Sequence, residues 1–344
     1  PEAVAHALEI LLVTESALKT RGLQGSKEIL RAIDKLQPML AFFMSGDGQL
    51  QSFNGGGALQ KHRLKKLFDP DTPSPKIFKY APHSGYQRLD RNGSLLVIDV
   101  GNSPPRPFDL EAHLAPLAFT LSTNDGPLVV NCGWNNAQPK HWRHSMRTIA
   151  AHTSLILGGR DSGELLKTGL AARAIGPAIC VEAGPVRCSR KEQETGTWLD
   201  ASHDGYVRAF GLTHSRRIYM DVFGKDIRGE DSLFVPMGAV PKTRAEIDYD
   251  IRFHLHPDIK VTLAQDQKSA LLIQPSGIGW RFRTDGGPLK LEKSVYLGSG
   301  NRPQRTEQIV ISGKAYGDGD GQTRSNRIRW SFKRLGGIDT GKFG

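Results

Sequence analysis

Four polar residues in the stretch from Glu111 to His152 have the types and spacing to do chemistry: Glu111, His113, Asn131 and His152. AHLAPLAFTL, PLVVNCG and HTSLILGG each read as a strand, and Asn124-Asp125-Gly126 reads as the hairpin turn between the first two. Side chains two apart on a strand share a face, so the pattern predicts Glu111 and His113 on one side of a sheet. Asn131 then sits on the returning strand and His152 opens the third run. One carboxylate and two imidazoles make a workable zinc set and, without a metal, an acid–base set. Hydrogen-bonded histidines at strand ends are the plainer alternative.

Other candidates surround this cluster. From Lys140 to Thr148, KHWRHSMRT interleaves Trp142 with Arg143, His144 and Arg147. A ring that stacks beside guanidinium groups that pair with carboxylates suits an acidic sugar chain, and a mobile surface loop is the alternative. Trp134, Arg143, Arg147 and Asn54 are the candidate substrate contacts. Lys61 to Lys66 (KHRLKK) reads as a solvated helix face beside the Asn54 loop. The FNGGG and GDG loops lack the Lys-Ser/Thr of a phosphate loop, and GDGDG near Asp318 lacks the acid pattern of a calcium loop, so all read as turns. In DGYVRAFGLTHSRR, strand alternation would put Tyr206 and Arg208 on one face, and no Ser-His-Asp arrangement emerges.

The elements that must position these groups change type along the chain. PEAVAHALEILLVTESALKTRG and SKEILRAIDKLQPMLAFFM carry helical spacing, with Gly22 suited to end the first, Ser26 or a neighbour to cap the second and Pro38 to kink or split it. DPDTPSPK reads as a linker. Beyond residue 78, short strand-like runs recur with Gly and Pro between them, and RNGS and TDGG read as hairpin turns. That density of strands predicts a large antiparallel β-sandwich over 79–335, preceded by helices over 1–78 and followed by a disordered tail over 336–344. No repeat of fixed period is present.

The chain has 344 residues, with 46 Lys plus Arg against 35 Asp plus Glu, for a net charge of +11. Such a surface favours polyanions without choosing among them; nucleic acid has nothing but this charge in its favour. No apolar run approaches a membrane span. Three cysteines without CxxC spacing leave the redox compartment open. The opening PEAV, already helical and without an initiator Met, reads as the interior of a longer protein.

Ordered segments along nearly the whole chain resemble the heparinase II/III-like family of polysaccharide lyases. They include MLAFFMSGDGQLQSFNGG, EAHLAPLAFTLS, LVVNCGWN, RTIAAHTSLILGG, DGYVRAFGLTHSRRIYM, FHLHPDI, IGWRFRTDG and RTEQIVISG. The resemblance implies the closing helices of an α/α toroid, then a β-sandwich, with a cleft between them. It also implies a cell-envelope or periplasmic protein that cleaves a uronate-containing polysaccharide by β-elimination. In that chemistry an Asn or His neutralises the uronate carboxylate, a Tyr or His removes the adjacent ring proton, and a Tyr protonates the leaving oxygen. Some members hold zinc through a pattern resembling HAHAD, VD-x-G and AHNT. Onto that pattern, Glu111 falls at the catalytic His, His113 and His152 at two metal ligands, Ala115 at the HAHAD Asp and Asn131 at the strand Asp. Glu111, His113 and His152 are thus the implied catalytic positions, and His113, Asn131 and His152 the implied zinc positions. The family's Tyr motif, resembling SPxYH, has no Tyr to match it at PEAV. A non-catalytic polysaccharide-binding or envelope-assembly protein keeping the lyase fold is the rival expectation.

Overall fold

In the computed structural model, residues 1–337 are described apart from 57, 58, 60, 69–74, 167, 168, 299–301 and 324. Most of the expected linker and all but two residues of the expected tail lie outside the described residues. Those two, Gly336 and Gly337, end the last strand, Arg327–Gly337.

The helical segment begins with α1 (Glu2–Thr20) and α2 (Lys27–Phe42). Gly22 takes the left-handed conformation just past α1, and the N–H of Leu23 returns to Leu18 O, closing the helix end. Ser26 caps α2 by accepting from the Ile29 N–H at 3.3 Å. Pro38 does not split α2, which runs through it as one helix. The carbonyl that Pro38 leaves without a donor belongs to Asp34, on the exposed side where water can take the donor's place.

Two antiparallel sheets follow, as the strand density predicts. The nine-stranded sheet runs in the order Tyr80–Ala81, Tyr86–Arg91, Ser94–Asp99, Phe119–Thr123, Gly126–Val130, Glu246–Leu255, Gln304–Tyr316, Leu289–Tyr296, with Leu155–Leu157 also paired to Glu246–Leu255. The eight-stranded sheet runs Lys260–Leu263, Ser269–Ile273, Ile278–Thr284, Arg327–Gly337, Asp226–Phe234, Thr213–Asp221, Gly196–His203, Val186–Gln193. Their inner faces share one large core that includes Phe119, Phe253, Trp280, Phe282, Trp330 and Phe332.

SLLVID, in the strand Ser94–Asp99, explains how helices and sandwich join. Leu96 and Ile98 enter the sandwich core, while Leu95 and Val97 enter a second core with Leu8, Leu40 and Phe42 of the helices. Each such burial contributes about 1.5–3 kcal/mol, so the helices are a third layer rather than an appendage. Arg88, on the neighbouring strand, donates to Phe42 O at 2.6 Å and so satisfies a carbonyl at the C-terminus of α2.

Three local expectations change. TDGG joins strands of different sheets and is no hairpin turn. Gly286 there lies between Ile311 of one sheet and Ile328 of the other, where a Cβ would come within 2.9 Å of both. Residues 111–118 form no strand, because Pro116 and a left-handed Leu117 (φ 60°) break the extended run before Phe119. Glu111 and His113 therefore share no strand face. Tyr206 precedes a helical turn at Val207–Phe210 and donates from its hydroxyl to Leu155 O at 2.7 Å, so it packs inward while Arg208 is exposed.

Candidate functional site

The site is assembled where the loop after α2 crosses the end of the nine-stranded sheet. Asn54 and Gly55 both take positive φ (43° and 73°), which turns the Phe53–Gly56 loop down onto residues 111–113. Gly is required at 55, since a Cβ would stand 2.8 Å from Glu111 Cβ. Asn54 Oδ1 accepts from the His113 N–H at 2.9 Å, and its Nδ2 donates to Tyr86 Oη at 2.6 Å and Asp99 Oδ2 at 2.7 Å. Its polar atoms serve the protein's own frame. Burial pushes the Asp99 carboxyl up to about 6 despite the donors around it, and burial beside Asp99 raises the Tyr86 hydroxyl well above its usual range.

Below this loop the two histidines form a wire. The Gly55 N–H donates to His113 Nε2 at 2.9 Å, His113 Nδ1 lies 2.7 Å from His152 Nε2, and His152 Nδ1 lies 2.7 Å from Thr148 O. A backbone N–H can only donate and a carbonyl can only accept, so both ends of the wire are fixed. His113 carries its proton on Nδ1 and donates to the bare Nε2 of His152, whose own Nδ1–H donates to Thr148. Two neutral rings satisfy every nitrogen. Burial, with His152 and Arg147 nearby, drives the His113 pKa well below its usual value, and burial brings His152 down to about 4. His254, which pattern reading missed, lies close behind: Nε2 is 3.1 Å from Ala150 O and Nδ1 2.8 Å from Ser294 Oγ.

Asn131 is equally engaged. Its Oδ1 accepts from the Thr153 N–H at 3.0 Å and its Nδ2 donates to Ser52 O at 3.3 Å, tying the third run to the loop after α2. The residues as they stand do not fit the zinc ion that the family resemblance implies. Both imidazole lone pairs already accept an N–H, and the residue at the family's acidic ligand is a neutral amide with both polar atoms engaged. Among the described residues, no group of three or more His, Cys, Asp or Glu could hold a metal ion.

Beside the wire a cavity of about 210 Å³ opens to solvent, lined by Glu111, Trp134, Lys140, Arg143, His144 and Arg147. Four of the sequence candidates thus meet there. The helix Lys140–Ser145 places Lys140, Arg143 and His144 on one face by its i, i+3, i+4 spacing. Trp134 Nε1 donates to Arg143 O at 3.2 Å, fixing the indole against that helix. Arg147 lines the cavity but is spent on structure, donating to Ala112 O, Pro177 O and Asp109 O at 2.7, 2.6 and 2.9 Å. Its burial lowers its pKa to about 10 even with Asp109 and Glu111 nearby. Arg143, in contrast, keeps a buried Nε that bonds to nothing among the described residues. The cavity is smaller than pockets that enclose a drug-sized molecule, roughly 300–1,000 Å³, and suits one charged group of a longer ligand. A larger groove of about 1030 Å³ runs past Arg160, Glu164, Cys180, Asp204 and Arg208, and none of the candidate catalytic, metal or substrate residues lines it.

The structure thus splits the candidates. Glu111, Trp134 and Arg143 face the cavity, whereas His113, His152, Asn131, Asn54 and Arg147 hold its walls. Tyr86 and Asp99 were missed, yet the signal was present: counting outward from the two-residue turn Asn92–Gly93 puts Tyr86 opposite Asp99.

Comparison with known proteins adds identity to this geometry. The family model "Heparinase II/III-like, C-terminal" matches residues 73–331. The chain belongs to the heparinase II/III-like family. FtsZ-localized protein C of Caulobacter vibrioides is 33% identical over 341 residues, 98% of this chain and 57% of that protein. Among solved structures, heparan sulfate lyase HepC from Pedobacter heparinus superposes with a TM-score of 0.69 at 12% identity, covering 98% of this chain and 52% of that one. The heparinase III BT4657 gene product gives 0.72 at 13%, covering 100% and 53%. The chain therefore spans about half the length of the relatives it matches, and the lyase likenesses establish the fold. Among the described residues, no helix is long and apolar enough to cross a membrane.

Proposed function

We propose that this chain binds an acidic, uronate-type polysaccharide at the cell envelope and retains the lyase fold without the family's histidine- and metal-based chemistry. The observation that carries this is the closed wire from Gly55 through His113 and His152 to Thr148, which leaves neither imidazole a free nitrogen for substrate or metal. Glu111 stands where the family pattern has its catalytic histidine. Binding falls to the cavity beside the wire: Lys140 and Arg143 pair with a uronate carboxylate while Trp134 offers an apolar wall. Glu111 works against an anion there and sets the affinity low. The 33% identity to FtsZ-localized protein C over nearly the whole chain, against 12–13% to the lyases, weighs toward a non-catalytic role linked to where FtsZ is found, in which glycan binding is a positioning function.

The helices fit a larger helical layer of toroid type. Ile10, Val13 and Leu23 are 66%, 65% and 55% exposed, an apolar surface that further helices would cover. In that arrangement the substrate cleft lies between the toroid and the cavity wall.

A second reading, β-elimination, is favoured by one observation: the Glu111 carboxylate lines the same cavity as Lys140 and Arg143. A carboxylate beside cations that neutralise a uronate could take the ring proton, with the leaving oxygen protonated by water. Incubating the full-length protein with heparan sulfate, alginate and polygalacturonate, following ultraviolet absorbance of the unsaturated product, separates the two. Binding without product supports the first reading, and product whose formation Glu111→Gln abolishes supports the second.

A further inference from the structure

The outer face of the eight-stranded sheet, remote from the cavity, carries an arrangement that the proposed site does not use. Trp198 and Tyr219 are cross-strand partners there, with ring centroids 4.6 Å apart and planes tilted by 40°. Both rings are pinned from the side: Trp198 Nε1 donates to Gln193 Oε1 at 3.1 Å and Tyr219 Oη to Thr195 O at 2.7 Å. Arg228, the next partner in register, lies over the Tyr219 ring at 5.8 Å. The same lateral row continues through Ser331 to Arg283 on one side and to Lys191 on the other. Five steps between strands make the row roughly 24 Å long.

Surface aromatics held rigid in a row with cations have no role in the core. Arg217, Arg228 and Arg329 pair with Asp200, Asp226 and Glu230, whereas Lys191 and Arg283 are exposed and have no ion-pair partner among the described residues. A cleft of about 460 Å³ opens among Trp198, Arg217, Arg228, Arg283 and Arg329. The face thus offers ring planes, unpaired positive charge at both ends and carboxylates between.

We infer that this face is a second glycan platform, on which an acidic polysaccharide lies across the strands. Sugar rings stack on Trp198 and Tyr219, carboxylate or sulfate groups meet Lys191 and Arg283, and Asp200, Asp226 and Glu230 accept from hydroxyl groups. Those interleaved carboxylates repel any anionic chain, but a polysaccharide offsets this with a hydroxyl donor on nearly every ring carbon between its charges. Single-stranded DNA instead carries a phosphate at every unit and no free sugar hydroxyl along the chain. The inference shares its ligand class with the proposed function but not its site.

The test is affinity electrophoresis of the full chain in gels containing heparan sulfate or polygalacturonate, with a single-stranded DNA oligonucleotide run in parallel. Lys191→Glu/Arg283→Glu is expected to weaken glycan retardation about tenfold at low salt, because it reverses two exposed charges. Trp198→Ala is expected to weaken it several-fold, and this loss should persist in high salt, as stacking is not screened. Circular dichroism melting within a few degrees of wild type shows that each variant is folded. Lys140→Ala/Arg143→Ala tests the cavity separately: loss there with unchanged affinity in the outer-face variants overturns the platform and leaves the cavity reading standing. Loss in the outer-face variants alone upholds the platform and removes the cavity reading. Loss of DNA binding with glycan affinity unchanged overturns the platform in favour of nucleic acid.

Discussion

Two pairs of histidines in this molecule are wired alike and differ in what lies at the end of the wire. In the first, a Gly55 N–H feeds His113, His113 feeds His152, and His152 ends on the Thr148 carbonyl. In the second, a Gly205 N–H feeds His203 Nδ1, His203 Nε2 meets His214 Nδ1 at 3.0 Å, and His214 Nε2 ends on Asp231 Oδ1 at 2.7 Å. Asp231 also receives Arg216 Nε at 2.8 Å and Trp330 Nε1 at 2.8 Å, all within a sealed core. Arg216 Nη1 then donates to Thr153 O, next to His152, and to Leu117 O, four residues past His113, so the second network props the first. The lesson is that a buried histidine pair is satisfied by its own geometry whether or not it occupies a family's catalytic position. Open space borders both pairs, for Gly205 also lines the larger groove; what distinguishes the first pair is the charge of its neighbour, a small cavity with Lys140 and Arg143 in its wall and Glu111 at its rim.

The comparison is broken most forcefully at Asp231. Asp231→Ala strands the buried Arg216 guanidinium and His214, and a single-partner deletion of this kind costs about 3–5 kcal/mol. Equilibrium urea unfolding should show that loss, or no folded protein at all. A change under 1 kcal/mol would mean the network carries no load.

His203→Ala and His113→Ala each strand hydrogen-bonding groups worth about 1–3 kcal/mol apiece. The sealed His203 site should lose more than the partly exposed His113 site, where water can replace the ring. Equal losses would contradict the distinction. Neither a chelator nor added zinc should move the wild-type melting temperature, since a metal bound to the folded state would raise it.

Acid acts on both pairs together. The pKa values of His113, His152, His203, His214 and His254 are all lowered by burial, with His152 at about 4 and His254 at about 3. Near pH 6.5 and below, the unfolded chain takes up protons that the folded chain refuses. Their contribution to stability is therefore whole above about 6.5 and is lost as the pH falls toward 4. Asp99, raised to about 6, has the opposite sign: its contribution is whole at low pH and is lost as the pH rises through about 6. Five imidazoles outweigh one carboxyl, so melting temperature should fall steeply from pH 6.5 to 4. A flat profile would show that the rings are charged or exposed.

The smallest effect on stability belongs to Glu111→Gln, within about 0.5 kcal/mol for an exposed side chain away from the core. Its effect on binding should be several-fold tighter affinity for an acidic glycan, because one repulsive charge leaves the cavity. Calorimetric titration with a uronate oligosaccharide checks it, and weaker binding would assign Glu111 an attractive role.

Much of this frame was legible in residue types. Gly22, Ser26 and the RNG and NDG turns place helix ends and hairpins through local backbone chemistry, and the strand density was enough to predict the sandwich. TDGG turns out otherwise because the outcome depends on the sheet to which each flanking strand belongs, and Pro38 leaves α2 unsplit because the Asp34 carbonyl lies where water can reach it. The candidate site was half legible. Residue types singled out Glu111, His113, Asn131 and His152, but the strand spacing that was to align Glu111 with His113 fails at Pro116 and Leu117, and which atoms face outward is set by the Asn54–Gly55 turn and by backbone partners that leave no trace in a spacing pattern. His214, Asp231 and Arg216 were invisible as a group, for their meeting depends on the register of the strands Thr213–Asp221 and Asp226–Phe234.

The central claim, that ligand recognition belongs to the cavity and not to the histidine wire, is tested most directly by one affinity comparison. Calorimetric titration of an acidic oligosaccharide into Lys140→Ala/Arg143→Ala and into His113→Asn/His152→Gln, each verified as folded, puts the two regions side by side. The account predicts about a tenfold or greater loss in the cavity variant, as expected for one charged hydrogen bond, and affinity within about twofold of wild type in the wire variant. Intact binding in the cavity variant with loss in the wire variant would contradict it.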